Sequence, residues 1–114
     1  MRSSAEVFND HLARRTAGDI EADLKHNYAP DVVLLCEHGP MTGWAAVRQS
    51  AQQLAKQLPE ASFEYRAKHV EGEYALLFWR ADSPKARAEH GVDSFVIRDG
   101  RIVMQSVYYA LRKK

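Results

Sequence analysis

The stretch from Thr16 to Val47, TAGDIEADLKHNYAPDVVLLCEHGPMTGWAAV, restricts what this chain can fold into more than any other part of it. A helix stops at Gly18, the residue type that ends helices without steric cost. Asp19 can cap a short second helix carrying Ile20, Leu24 and Tyr28, which must end before Pro30. An apolar run over Val32–His38 reads as a strand, Gly39–Gly43 is turn chemistry, and a further helix opens at Trp44. The order helix, helix, strand, helix leaves few architectures open.

The flanking segments extend this pattern. Ser3 and Glu6 fit a capping box ahead of Val7, Phe8, His11, Leu12 and Arg15 at helical spacing. Val47, Ala51, Leu54 and Leu58 continue the helix begun at Trp44 until Pro59 stops it. The second half favours strands: Ser62–Val70, Tyr74–Ala81, Val92–Arg98 and Arg101–Leu111. Asp99-Gly100 between the last two is the strongest hairpin signal in the chain. Ser83–Gly91, polar and interrupted by Pro84, reads as a loop or a weak strand edge. Helices followed by a run of antiparallel strands make an α+β domain, one unit over residues 1–114.

Bulk properties exclude several classes. With 114 residues and a net charge of +1, the chain has one core and no basic excess for nucleic-acid binding. Its single cysteine, Cys36, rules out an internal disulfide and a cysteine zinc cluster. No apolar run reaches membrane-spanning length and no signal-peptide pattern opens the chain, so a cytoplasmic protein without membrane association is expected. No phosphate loop or dinucleotide fingerprint is present, and no cofactor is expected.

Strand parity carries a further expectation. Phe95 and Ile97 share one face with Asp93, while Val92 and Val96 share the other; Leu77 and Trp79 alternate with Leu76 and Phe78. Both faces of the sheet are therefore apolar, and three helices can cover one. The open face is expected to be a homodimer interface, or else the sheet bends around one thick core.

Thr16-Ala17-Gly18-Asp19-Ile20, Tyr28 to Val33, Gly43 to Arg48, and the Asp93-Ser94-Phe95 strand with its Asp99-Gly100 turn together resemble the NTF2-like superfamily, in its SnoaL-like and ketosteroid-isomerase-like branches. The resemblance implies a curved antiparallel sheet forming a cone (a cystatin-like roll), with the N-terminal helices on its concave face. It also implies a deep apolar pocket and dimerisation through the sheet. The superfamily includes isomerases, cyclases, dehydratases and non-catalytic binding domains, so fold alone leaves the reaction open.

The resemblance also singles out residues. Asp93 matches the aspartic acid that, in ketosteroid-isomerase-like enzymes, stays neutral and donates to a substrate oxygen. If its face lines the pocket, burial raises its pKa; the alternative is a strand-end carboxylate bonded to the 83–91 loop. His11 stands where the isomerase branch has a hydrogen-bonding tyrosine, and is either an active imidazole or a half-buried structural one. Cys36, Glu37 and His38 fall near the branch's proton-shuttling carboxylate, with His38 or Glu37 the candidate base. A metal site from His11, His38 and Glu37 lacks ligand spacing and is not expected. Tyr28, Cys36, Trp44, Phe78, Trp79, Phe95, Gln105 and Tyr109 are candidate pocket residues, with core packing as their alternative role. The expected ligand is a small apolar molecule carrying a carbonyl. Either a cofactor-independent proton transfer or non-catalytic binding follows.

Overall fold

The computed structural model describes residues 1–114. Helices α1 (Ser4–Thr16), α2 (Ile20–Asn27) and α3 (Trp44–Gln57) pack on one sheet of seven strands. The strands are β1 (Tyr28–Cys36), β2 (Gly39–Thr42), β3 (Ser62–Glu71), β4 (Tyr74–Asp82), β5 (Ala86–Arg98), β6 (Arg101–Tyr108) and β7 (Leu111–Lys113). Their order is β2-β1-β6-β5-β4-β3, with β7 also on β5. The result is an α+β domain whose curved, unclosed sheet carries the helices on its concave side.

Local chemistry accounts for most element ends. The capping box at α1 is complete: Glu6 N–H donates to Ser3 Oγ at 3.1 Å, and Ser3 N–H to Glu6 Oε1 at 2.9 Å. Asp19 caps α2 through Ala22 N–H at 3.1 Å. Asp99 and Gly100, at φ 53° and 74°, make the left-handed turn that joins β5 to β6.

Four expectations need correction. Tyr28 opens β1 rather than closing α2, because Pro30 forces extended backbone ahead of it. Gly39–Thr42 is a strand: Pro40 and Met41 pair with Leu35 and Leu34. Ser83–Gly91 is mostly strand too, since β5 starts at Ala86, where the far C-terminal segment supplies a partner, Ala88 against Leu111. The sheet is mixed rather than wholly antiparallel, for β1 runs parallel to β6.

Parity sorts the sheet's side chains. Leu77, Trp79, Ala81, Phe95, Ile97 and Ile102 turn inward and are buried against Val7, Phe8, Leu12, Leu24 and Val47 of the helices. Phe8 meets Phe95 edge-on at 5.3 Å between ring centroids. Burying each such large side chain contributes roughly 1.5–3 kcal/mol. On the outer face the register aligns Val33, Met104, Val96 and Tyr74 in one row, and Leu35, Ser106, Ser94 and Leu76 in the next. Val33, Leu35, Tyr74 and Phe78 remain exposed there. No helix is long and apolar enough to cross a membrane.

Candidate functional site

A cavity of about 640 Å³ opens between α1, α3 and the concave face of β3 and β4. Its walls include His11 and Arg15 from α1, Leu54 and Leu58 from α3, and Tyr65 and Trp79 from the sheet. The lining is mainly apolar; His11, Arg15 and Thr16 form a polar side on α1, and Arg48, Gln52 and Glu60 add further polar groups, the composition expected of a small-molecule site.

Two interlocking helical pairs build that polar side. His11 and Arg15 lie four apart on α1, so they share a face; Asp23 and Asn27 do the same on α2. Where the helices meet, His11 Nδ1 and Arg15 Nε each lie 2.8 Å from Asp23 Oδ2, and Asn27 Nδ2 donates to Asp23 Oδ1 at 2.9 Å. Burial pushes the Asp23 pKa up, but the His11 bond and charge, then Arg15 and Asn27, outweigh it and hold the carboxyl below its ordinary range. An ionised Asp23 only accepts, so His11 Nδ1 carries a proton and donates to it. Nε2 has no protein partner, yet it is not sealed off, and His11 borders the cavity. The ring is fixed edge-on against Tyr28 and Phe95.

Asp93 occupies the middle of β5 rather than a strand end. Trp79 Nε1 donates to its Oδ1 at 2.9 Å and Gln105 Nε2 to its Oδ2 at 3.0 Å. Tyr28 in turn donates its hydroxyl to Gln105 Oε1. Burial pushes the Asp93 carboxyl above its ordinary range; the Trp79 bond, the His11 charge, the Gln105 bond and Arg15 pull the other way without cancelling it. The indole reaches Asp93 because its cross-strand neighbour is Gly91. A Cβ at Gly91 would lie 2.1 Å from Trp79 Cε2. Burial raises the Tyr28 pKa strongly against the pull of nearby Arg15. The Arg15 pKa is also raised, since Tyr28 and Asp23 outweigh the burial of its charge. One run of polar contacts thus links His11, Arg15 and Asn27 through Asp23, and a second links Tyr28, Gln105, Asp93 and Trp79.

The structure sets His11, Asp93, Tyr28, Trp79, Phe95 and Gln105 on the concave side, but only His11 and Trp79 line the cavity; Tyr28 and Phe95 are packed in the core, and Asp93 reaches the cavity wall through its bond to Trp79, with Gln105 behind it. The structure places Cys36, Glu37 and His38 elsewhere, on a second cavity of about 470 Å³ between α3 and the ends of β1 and β6. Cys36 Sγ donates to the Gly39 carbonyl at 3.7 Å. Tyr109 stands at the boundary: it lines the second cavity, donates to Gln57 Oε1, and packs on Trp79 at 5.5 Å between centroids. Burial raises its pKa, helped by Asp93 on one side and Cys36 and Glu37 on the other. Trp44 is a fold residue whose indole N–H lies 3.2 Å from the carbonyl oxygens of Tyr28 and Ala29. Phe78 is a correction: strand parity puts it on the outer face, 39% exposed and away from both cavities. Asp23, Asn27 and Arg15 were not among the expected site residues. Their signal was the paired four-residue spacing on consecutive helices, which has meaning only once α1 and α2 are packed together.

Residues 7–105 match the family model of the SnoaL-like domain. Among solved structures, an NTF2-like protein from Mesorhizobium loti superposes with a TM-score of 0.77 at 24% identity, covering 94% of this chain and 90% of that one. A protein from the same organism, assigned as a SnoaL-like polyketide cyclase, gives 0.72 at 20% identity over 95% and 100%. TerC, crystallised with polyporic acid, gives 0.75 at 18% identity over 94% and 91%. No curated protein matches by sequence. The matched span, most of the chain, shows that this protein belongs to the SnoaL-like domain family, and its sheet and helical cover have the fold of NTF2-like proteins.

Proposed function

We propose that the cavity beside α1 binds a small, largely apolar molecule with a carbonyl oxygen and moves a proton on it without a cofactor. One observation carries this reading: a histidine oriented by a buried carboxylate borders the same concave face as a carboxyl whose pKa burial raises. His11 Nε2 is the base, held in the correct tautomer by Asp23. Asp93, protonated, donates to the substrate oxygen and stabilises the developing enolate. Trp79 and Gln105 hold the Asp93 carboxyl in place. In this reading the base is His11 rather than His38 or Glu37, which line the other cavity. Relatives of the same fold support a small organic ligand, since one is assigned as a polyketide cyclase and another holds polyporic acid.

The test is deuterium incorporation from heavy water at the acidic C–H of a panel of aromatic and cyclic ketones. The expected result is exchange that falls at least about a hundredfold in His11→Ala and Asp93→Asn, in line with the usual worth of a general acid or base. Exchange unchanged in both variants overturns the reading. A second reading, ligand binding without chemistry, is favoured by the saturation of both Asp93 oxygens by protein donors. It predicts binding of the same ketones without exchange.

The outer sheet face supports a further proposal, that two copies of the chain pair through it. Tyr74 and Phe78 are 63% and 39% exposed there, beside Val33 and Leu35 at 38% and 42%. The row Val33, Met104, Val96 and Tyr74 between them is apolar throughout, while Ser94 and Ser106 interrupt the next, and exposed apolar surface of this kind on a small domain marks an interface.

A further inference from the structure

Helix α3 turns two unlike faces to two cavities. Arg48, Ala51, Gln52, Leu54 and Ala55, with Leu58 just beyond the helix, line the one beside α1, whereas Gln49, Ser50, Gln53 and Gln57 line the one beside β1 and β6. The three glutamines are spaced by four, so they stand one above another as a stripe of amides. Tyr109, bonded to Gln57 and packed on Trp79, forms the wall between the two spaces. The second cavity is therefore not the rear of the first: amides and Ser50 form its α3 wall, with Met41, Val107 and Leu111 among its apolar lining, whereas the charged Arg15, Arg48 and Glu60 border the first.

We infer that this second cavity is a binding site for a neutral polyhydroxylated group such as a pyranoside. Gln49 and Gln53 each offer two N–H donors and an acceptor oxygen, Gln57, whose Oε1 accepts from Tyr109, offers its N–H donors, and Ser50 adds a hydroxyl. Sugar hydroxyls both donate and accept, so they match such a wall whichever way each amide points. Met41, Val107 and Leu111 contribute apolar surface for the C–H face of a ring. Other ligand classes fit poorly. An anion would find no Lys or Arg in the lining and would meet Glu37. A metal ion would find no cluster of three or more ligating side chains. A hydrocarbon would desolvate the amides without replacing their hydrogen bonds, at roughly 1–3 kcal/mol for each group left unpaired. Gln49 and Gln53 remain exposed to solvent, so the group is reached from outside without opening the fold.

The experiment follows the side-chain amide resonances of Gln49, Gln53 and Gln57 in the full-length protein. The probes are methyl glucoside, methyl galactoside and methyl rhamnoside, each taken to high millimolar concentration. Saturable shifts of at least two of the three amides by one glycoside, with millimolar affinity, are expected. Gln53→Leu, at an exposed helix position, should weaken that affinity about fivefold, the effect of losing one or two hydrogen bonds. The helical circular dichroism and melting temperature of the variant establish that it folds. Absence of saturable shifts for all three glycosides overturns the assignment, as does equal affinity in folded Gln53→Leu or a larger response to sulfate. Asp93→Asn, which should abolish the proton transfer proposed above, leaves glycoside binding intact if the two sites are separate. Failure of one reading is thereby distinguished from failure of the other.

Discussion

His11 Nδ1 lies 2.8 Å from Asp23 Oδ2, and the Asp23 side chain is fully buried beneath α1 and α2. That carboxylate compensates two potential cations, His11 and Arg15, and accepts from Asn27 as well. Its folded pKa lies below the unfolded value, so its stabilisation is fully present above the unfolded pKa and is lost as pH falls through the folded one. Asp23→Ala should cost about 3–5 kcal/mol at neutral pH, the usual cost of breaking a buried charged pair. Asp23→Asn keeps the shape and should cost less, while flattening the acid limb of the stability curve. Urea unfolding of both variants between neutral and acidic pH checks this; an unchanged acid limb in Asp23→Asn counts against it.

Asp93 has the opposite sign. Burial raises its pKa, so its contribution is fully present below the unfolded value and is lost as pH rises through the folded one. The wild type should therefore lose stability over that rise, and Asp93→Asn should not. The amide can still accept from Trp79, and a flip of Gln105 restores the second bond, so the variant should be equal or slightly superior to wild type at neutral pH. Proton titration of the Asp93 side chain by NMR, alongside denaturation of the variant, measures both quantities. An ordinary carboxylate pKa for Asp93 would remove the donor from the proposed chemistry.

Gly91 is the condition for the Trp79–Asp93 bond, because any Cβ there meets the indole well inside contact distance. Gly91→Ala should displace Trp79 and cost about 1–3 kcal/mol through overpacking. Near-ultraviolet circular dichroism should report the displaced indole, and the Asp93 pKa should rise further once its donor is gone. Trp79→Phe is the companion variant: it removes the donor while keeping most of the ring volume, and should reproduce the pKa rise with a smaller loss of stability.

The α1 capping box and the Asp99-Gly100 turn are written in adjacent residues, so they are legible before any tertiary contact exists. Parity groups Leu77 with Trp79 and Phe95 with Ile97, but with both faces apolar only the packed helices decide that these sets point inward. What escapes the sequence is set by distant partners. Residues 86–91 become strand in part because Leu111 arrives beside Ala88. Phe78 shares a face with Tyr74 and Leu76, and only the helices packed on the opposite face make that one the outer face. The His11–Asp23 pair depends on how two helices cross, and no local pattern on either helix states that.

The outer face yields the last test. Phe78 lies across the strands from Val92 and Ala67, in the body of the apolar surface rather than at its rim. If two copies pair there, a charge at this position must be desolvated or must force the copies apart, and an unpaired buried charge costs several kcal/mol. At a solvent-exposed strand position of a monomer the same substitution changes stability by little, within about half a kcal/mol. Phe78→Lys should therefore convert a dimer to a monomer at micromolar concentration in sedimentation velocity, while the isolated fold keeps its circular dichroism. A monomeric wild type under those conditions, or a Phe78→Lys protein that still sediments as a dimer, excludes pairing through this face.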